Sequence, residues 1–158
     1  ESLIKMLAVI RIRGTSHLSP DHRKTLDLLM LHKPNHAVFV AEDVQLKKMV
    51  EKVKDYVTYG EIDMETASAL LEKRGRTKNG KRLDKKVLEN MKVKNIEEIA
   101  KKILEGKASL RQLEMKPVFR LSPPRKGHNR GGVKKSYAVG GALGYRASDI
   151  NALLKKMM

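Results

Sequence analysis

The chain of 158 residues carries 34 Lys or Arg against 18 Asp or Glu, which gives a formal net charge of +16. An excess of this size predicts an acidic partner, because such a protein attracts polyanions. The absence of cysteine from the sequence excludes disulfide scaffolds and cysteine-based zinc sites, and it fits a reducing, cytoplasmic setting. No apolar run in the sequence is long enough to cross a membrane.

The positive charge is concentrated in the second half of the chain. Residues 1–75 contain 12 Lys or Arg and 11 Asp or Glu, whereas residues 76–158 contain 22 and 7. The first half therefore has the charge balance of an ordinary globular domain. Contacts with an acidic partner are expected in the second half.

Residues 1–62 alternate between strand and helix signals. Branched and apolar runs predict three strands, at 5–13, 37–41 and 57–62. Ser19 followed by proline predicts the start of a first helix, and Asp43 the cap of a second. This order predicts a small α+β core with its helices packed on one face of the sheet.

The first strand is expected to present positive charge on its other face. Alternation along a strand sends Ala8 and Ile10 to one side and Arg11 and Arg13 to the other. If helices cover one face of the sheet, Arg11 and Arg13 lie on the open face. We therefore predict that both arginines contact the acidic partner.

Residues 63–114 are predicted to form a helical lobe with a basic turn. Asp63 is a candidate N-cap and Gly75 a candidate helix stop. The turn at 76–82 contains no acidic residue, and its candidate RNA contacts are Arg76, Lys78, Lys81 and Arg82. A last helix at 148–158, capped by Ser148, is expected to dock on the core through an apolar stripe.

The stretch 116–146 gives the clearest functional signal. It has eight Lys or Arg, three prolines, several glycines and no acidic residue. Each phosphate that it neutralises would release counterions, and its tyrosines could stack on bases. We predict that 115–147 is a strand followed by an extended RNA-binding segment that becomes ordered on binding. Its candidate contacts are Lys116, Arg120, Arg125, Lys126, His128, Arg130, Lys134, Lys135, Tyr137, Tyr145 and Arg146.

The sequence offers no catalytic or metal-binding pattern. His32 and His36 are four residues apart, but Pro34 lies between them and no carboxylate or cysteine completes a site. The glycine-rich stretch 140–144 lacks the lysine and hydroxyl residue of a nucleotide-binding loop. We therefore predict no enzyme activity, no metal, no cofactor and no small-molecule substrate.

Several stretches resemble a family of large-subunit ribosomal proteins, numbered thirty in bacteria and archaea and seven in eukaryotes. The core resembles this family over 7–13, 25–31 and the strand that ends at Val40, and 71–75, 123–128 and 140–146 resemble its longer archaeal and eukaryotic form. The resemblance implies a β-α-β-α-β core with a three-stranded antiparallel sheet, and an appended lobe that closes on it. It also implies a structural role in the large ribosomal subunit. The implied partners are large-subunit rRNA, with 5S rRNA nearby, and neighbouring ribosomal proteins.

Three other functions compete with rRNA binding. A chromatin-type DNA-binding protein explains the charge equally well, but no recognition helix stands out in the sequence. An RNA-modifying enzyme needs a cofactor loop or an acid–base pair that the sequence does not offer. A polybasic membrane-surface protein fits poorly, because the charge lies in a glycine-rich segment rather than on an amphipathic helix.

Overall fold

A computed structural model describes residues 5–158, in which a five-stranded sheet lies between two layers of helices. The strands are β1 (Met6–Arg11), β2 (His36–Ala41), β3 (Val57–Glu61), β4 (Val118–Arg120) and β5 (Gly144–Tyr145). The helices are α1 (Pro20–Leu28), α2 (Val44–Lys52), α3 (Met64–Arg74), α4 (Lys85–Asn90), α5 (Ile96–Leu104) and α6 (Ile150–Met157). The strand order is β4-β2-β1-β3-β5.

The predicted α+β class and β-α-β-α-β core are confirmed. The central strands β2, β1 and β3 are antiparallel, as the family resemblance implies. The sheet is wider than the three strands expected, because β4 adds antiparallel to β2 and β5 adds parallel to β3. The two helix starts predicted at Ser19 and Asp63 are also present. Each side chain accepts a hydrogen bond from a backbone amide in the first turn of its helix.

The two helices of the core pack on one face of the sheet, as predicted, but the expectation that the other face stays open is wrong. On one side, α1 and α2 pack against Leu7 and Val9 of β1. On the other side, α3, α5 and α6 pack against Ala8 and Ile10. These three helices carry apolar stripes that must be buried, and the sheet face left by α1 and α2 supplies the surface for them.

The last helix docks as predicted, but it begins later than expected. Ser148 lies in a short turn, and Asp149 rather than Ser148 occupies the N-cap position of α6. The predicted apolar stripe is buried against the sheet, and its members are Ile150, Leu153, Leu154 and Met157. This helix is thus part of the main core rather than an appendage.

The basic stretch is folded rather than extended. It leaves β4 at Arg120, crosses the end of the sheet and enters β5 at Gly144. On its way, Ala142 and Leu143 pack against Ile12, just beyond β1. The stretch therefore joins the two edge strands and contributes its own small apolar cluster, which its charge and glycine content did not suggest.

We predict that Gly60→Ala weakens the docking of the last helix. A methyl group at this position of β3 would overlap the carbonyl oxygen of Ala147, and it would lie 3.0 Å from Cβ of Ile150. Backbone cannot give way as a side chain can, so we expect a loss of about 1–3 kcal/mol in the free energy of unfolding. Urea denaturation measures this loss.

Gly14→Ala is the matched control for this change. Apart from its two chain neighbours, no residue among 5–158 has an atom within 4 Å of the position that its Cβ would occupy. We expect its denaturation midpoint to stay close to that of the unchanged protein. Equal midpoints for the two variants would contradict the close approach at Gly60.

Candidate nucleic-acid interface

The predicted basic turn at 76–82 is a small, ordered hairpin. The amide of Thr77 donates to the carbonyl of Lys81 at 2.9 Å, which closes the turn. The amide of Lys116 donates to the carbonyl of Arg76 at 2.9 Å, so the chain leading into β4 lies beside the turn. Lys78, Lys81, Arg82 and Lys116 are exposed, and Arg76 is half-buried. The structure thus brings these five predicted contacts together.

A second group of positive charges lies at the end of the sheet where β1 finishes. Arg120 pairs with His36 across β4 and β2, and it is exposed. Arg13 follows β1 and is half-buried, with its guanidinium carbon 5.5 Å from the centre of the Tyr56 ring. Burial lowers the pKa of His36, and nearby cations, Arg120 foremost, lower it further.

The basic loop from 121 to 143 spans this same end of the sheet. Its predicted contacts Arg125, Lys126, Arg130, Lys134 and Lys135 are all exposed. The loop is held by backbone bonds: the amides of Ala142 and Leu143 both donate to the carbonyl of Lys135, at 3.0 and 3.1 Å. The close approach of these two parts of the loop requires glycine at position 141, because a Cβ there would overlap the carbonyl of Lys135.

One hydrogen bond joins the helix that leads into the basic turn to the start of the basic loop. Helix α3 runs from the opposite end of β3 to this end, where Arg74 donates to Ser122 Oγ at 2.8 Å. Ser122 lies two residues after β4, and the turn begins two residues after Arg74. This bond links the segment before the turn to the start of the loop. We call the positive side chains of the turn, of this end of the sheet and of the loop the basic end; they are Arg13, Arg76, Lys78, Lys81, Arg82, Lys116, Arg120, Arg125, Lys126, Arg130, Lys134 and Lys135.

Arg11 does not belong to the basic end, and the expectation that it projects from an open face is wrong. It is 2% exposed and lies under the helix layer of α1 and α2. Its Nη1 donates to the carbonyl of Leu31 at 2.7 Å, and its Nε donates to the carbonyl of Arg13 at 3.0 Å. Strand alternation gave its side correctly, but that side is closed, so Arg11 ties the end of α1 to the sheet.

Arg146 is also an internal group rather than a surface contact, since it is 5% exposed. Its Nε donates to Thr58 Oγ1 at 2.7 Å, and its Nη2 donates to the carbonyl of Ala142 at 2.6 Å. Its backbone amide donates to the carbonyl of Tyr59 at 2.9 Å. One arginine thus fixes the end of the basic loop to β3, by both its backbone and its side chain.

The two tyrosines of the basic stretch have intramolecular partners. The guanidinium of Arg146 lies over the Tyr137 ring at 4.8 Å, and the Tyr137 hydroxyl donates to Asp149. Tyr145 is 49% exposed, but its hydroxyl donates to Glu61 Oε1 at 2.6 Å. The Tyr145 ring is thus the more open of the two, although it lies beside acidic groups.

His128 is half-buried where the loop passes α6. Its Nδ1 is buried, and no residue among 5–158 provides a hydrogen-bond partner for it. Burial lowers the pKa of His128, and the charge of Arg146 lowers it further, so the neutral imidazole is favoured. His128 is therefore a neutral group in a basic loop.

Within residues 5–158, no three His, Cys, Asp or Glu side chains are grouped so that they could hold a metal ion. The same part of the chain contains no helix long and apolar enough to cross a membrane. Sequence reasoning did not select Arg74 or Asp149, because a basic residue in a last helical turn and an acidic residue at a cap are ordinary structural features.

Comparison with known proteins identifies the family. The family model of ribosomal protein L30p/L7e matches residues 7–57. The large ribosomal subunit protein uL30 of Methanococcus vannielii is 48% identical over 151 residues, which cover 96% of this chain and 98% of that protein. The uL30 protein of Methanothrix thermoacetophila is 48% identical over 153 residues, covering 96% and 99%. That of Nanoarchaeum equitans is 41% identical over 149 residues, covering 94% and 96%.

The chain belongs to the ribosomal protein L30p/L7e family. This confirms the resemblance found in the sequence, including its long archaeal form, because the archaeal relatives align over 96% of this chain. The L30p/L7e family consists of structural ribosomal proteins, so membership also supports the prediction that the chain is not an enzyme.

For this L30p/L7e protein we predict that Arg146→Lys loosens the basic loop. Lysine keeps the charge but cannot donate to Thr58 and Ala142 at once or stack flat on Tyr137. Losing one bond to a charged group should lower the free energy of unfolding by about 1.5–3 kcal/mol. Urea denaturation measures the loss, and Arg130→Lys, at an exposed position of the same loop, should cost little.

We predict that Glu61 controls the titration of Tyr145. The hydrogen bond to Glu61 is the main cause that raises the pKa of Tyr145 to about 12. An unfolded tyrosine titrates near pH 10. The contact therefore stabilises the fold fully below about pH 10, and its contribution is lost as the pH rises towards 12. In Glu61→Gln, near-ultraviolet absorbance should show one tyrosine titrating at lower pH; an unchanged curve would contradict the assignment.

Proposed function

We propose that this protein is a cytoplasmic, structural component of the large ribosomal subunit that binds rRNA through the basic end. The observation that carries the proposal is the gathering of exposed Lys and Arg from the turn, from β4 and from the loop. The relatives are named as large ribosomal subunit proteins, and they align over nearly the whole chain.

The basic end is suited to phosphate contacts rather than to reading a duplex groove. Its exposed groups are flexible lysines and arginines on turns and loops, and none of the helices that cover the sheet projects from it as a recognition element. Such contacts fix the position of a protein on a folded RNA. A structural role needs this kind of positioning.

The proposed contacts are the predicted residues that the fold leaves accessible. They are Arg13, Arg76, Lys78, Lys81, Arg82, Lys116, Arg120, Arg125, Lys126, His128, Arg130, Lys134, Lys135, Tyr137 and Tyr145. Arg11 and Arg146 leave this set, because both are buried and bonded within the protein. Proximity to 5S rRNA and to neighbouring ribosomal proteins is proposed from the family resemblance alone.

A charge-removal series tests the proposal. The triple variant Arg130→Gln, Lys134→Gln, Lys135→Gln should weaken binding to large-subunit rRNA fragments. Each lost phosphate contact should reduce the slope of log affinity against log salt by about 0.7–0.9, so the slope should fall by roughly two to three. These side chains are exposed, so the fold should tolerate the changes.

The matched control removes the same charge from the opposite helical layer. Lys24→Gln, Lys48→Gln, Lys54→Gln changes exposed lysines in and after α1 and α2, and its slope should stay near that of the unchanged protein. Equal slopes for the two triples would mean that total charge, not the basic end, governs binding. Equal affinity for duplex DNA and structured rRNA would favour a general nucleic-acid-binding protein instead.

A further inference from the structure

A small recess lies between the basic loop and α6, beside the basic end. Its volume is about 240 Å³, and its walls include His128, Asn129, Tyr137, Arg146 and Asp149. Pockets for drug-sized ligands usually measure about 300–1,000 Å³. The recess therefore suits a smaller, flat group.

The recess is lined by polar atoms that lack partners within the described chain. His128 Nδ1 is buried without a partner in the same part of the chain. Asp149 uses Oδ2 for the Tyr137 hydroxyl, which leaves Oδ1 to accept from a ligand. A buried polar atom without a partner, such as His128 Nδ1, is costly, so a ligand that bonds to it is favoured.

We propose that this recess holds one unpaired base of the bound RNA, with guanine as the best fit. The inference rests on the proposed rRNA binding and names a site within it. Specific RNA recognition commonly uses bases splayed from loops or bulges, stacked on aromatic rings or guanidinium planes and bonded at their edges. The Tyr137 and His128 rings provide planar groups around the recess.

The Asp149 carboxylate favours a base over a phosphate as the occupant of the recess. A phosphate in the recess would lie close to the Asp149 carboxylate, and the two negative charges would repel each other. A base with N–H donors on its edge gains a bond from the same carboxylate. Guanine presents two such donors side by side, whereas uracil presents one between two carbonyl groups. Phosphates instead meet the exposed lysines and arginines outside the recess.

The experiment compares hexauridylate with the same hexamer carrying one central guanosine. The two RNAs have the same number of phosphates, so their affinity ratio isolates the base. We expect the guanosine hexamer to bind roughly fivefold to tenfold more tightly, in line with the usual effect of one stacked and bonded base. Fluorescence anisotropy at low salt gives both affinities.

Ala152→Leu fills the recess without changing charge. Ala152 lines the recess from an exposed position of α6, and leucine is well tolerated in helices. In this variant the ratio should fall to about one. Ala138→Leu is the control, because it adds the same atoms at an exposed position of the loop that does not line the recess. Its ratio should match that of the unchanged protein.

The outcomes separate this inference from the proposed function. A ratio near one in the unchanged protein, or a ratio that survives Ala152→Leu, overturns the base recess. If rRNA fragments still bind with a steep salt dependence, rRNA binding stands in either case. Loss of all salt-dependent rRNA binding would instead remove the proposed function, on which the recess depends.

Discussion

The fold depends on the contact between β3 and residues 144–147, which follow the basic loop. There, Arg146 bonds to Thr58 and Tyr59, and Gly60 leaves room for the carbonyl of Ala147. A buried guanidinium is stable only when its donors find acceptors, and here the acceptors belong to two different segments. The same few bonds therefore add β5 to the sheet, close the basic loop and set the position from which α6 runs back across the core.

The chain uses arginine in two ways, and net charge alone does not distinguish them. Arg11 and Arg146 are enclosed and bond mainly to backbone carbonyls, so they hold pieces of the chain together. Arg125 and Arg130 are exposed, and their charge is directed to the surroundings. The net charge of the chain counts all four arginines equally, although only the exposed ones can contact a polyanion.

Local signals in the sequence were sufficient for the elements and the class of fold. Branched runs, the caps at Ser19 and Asp63 and the apolar stripe of α6 each act over a few residues, and the structure contains what they predict. The pairing of the outer strands β4 and β5 could not be predicted from these signals. Strands of two or three residues show no periodicity, and their partners lie far away in the sequence. The burial of Arg11 could not be predicted either, because the helices that cover it are brought there by tertiary packing.

The candidate site was predictable in composition but not in arrangement. The charge and glycine content of 116–146 were visible in the sequence, and most of its lysines and arginines are exposed on a loop as that composition suggests. The recess beside α6 had no such signal, because it combines His128 with Asp149, which no sequence pattern singled out. Sequence position separates the two residues, and the path of the loop along α6 brings them together.

The position of the two edge strands has a consequence for biosynthesis. β1, β2 and β3 are complete once the ribosome has passed residue 61, but both outer edges of this sheet wait for the strands at 118–120 and 144–145. During translation these edges are open for an interval on the order of several seconds. Open edges can pair with other chains, so the nascent protein is exposed to aggregation until β4 and β5 have been made.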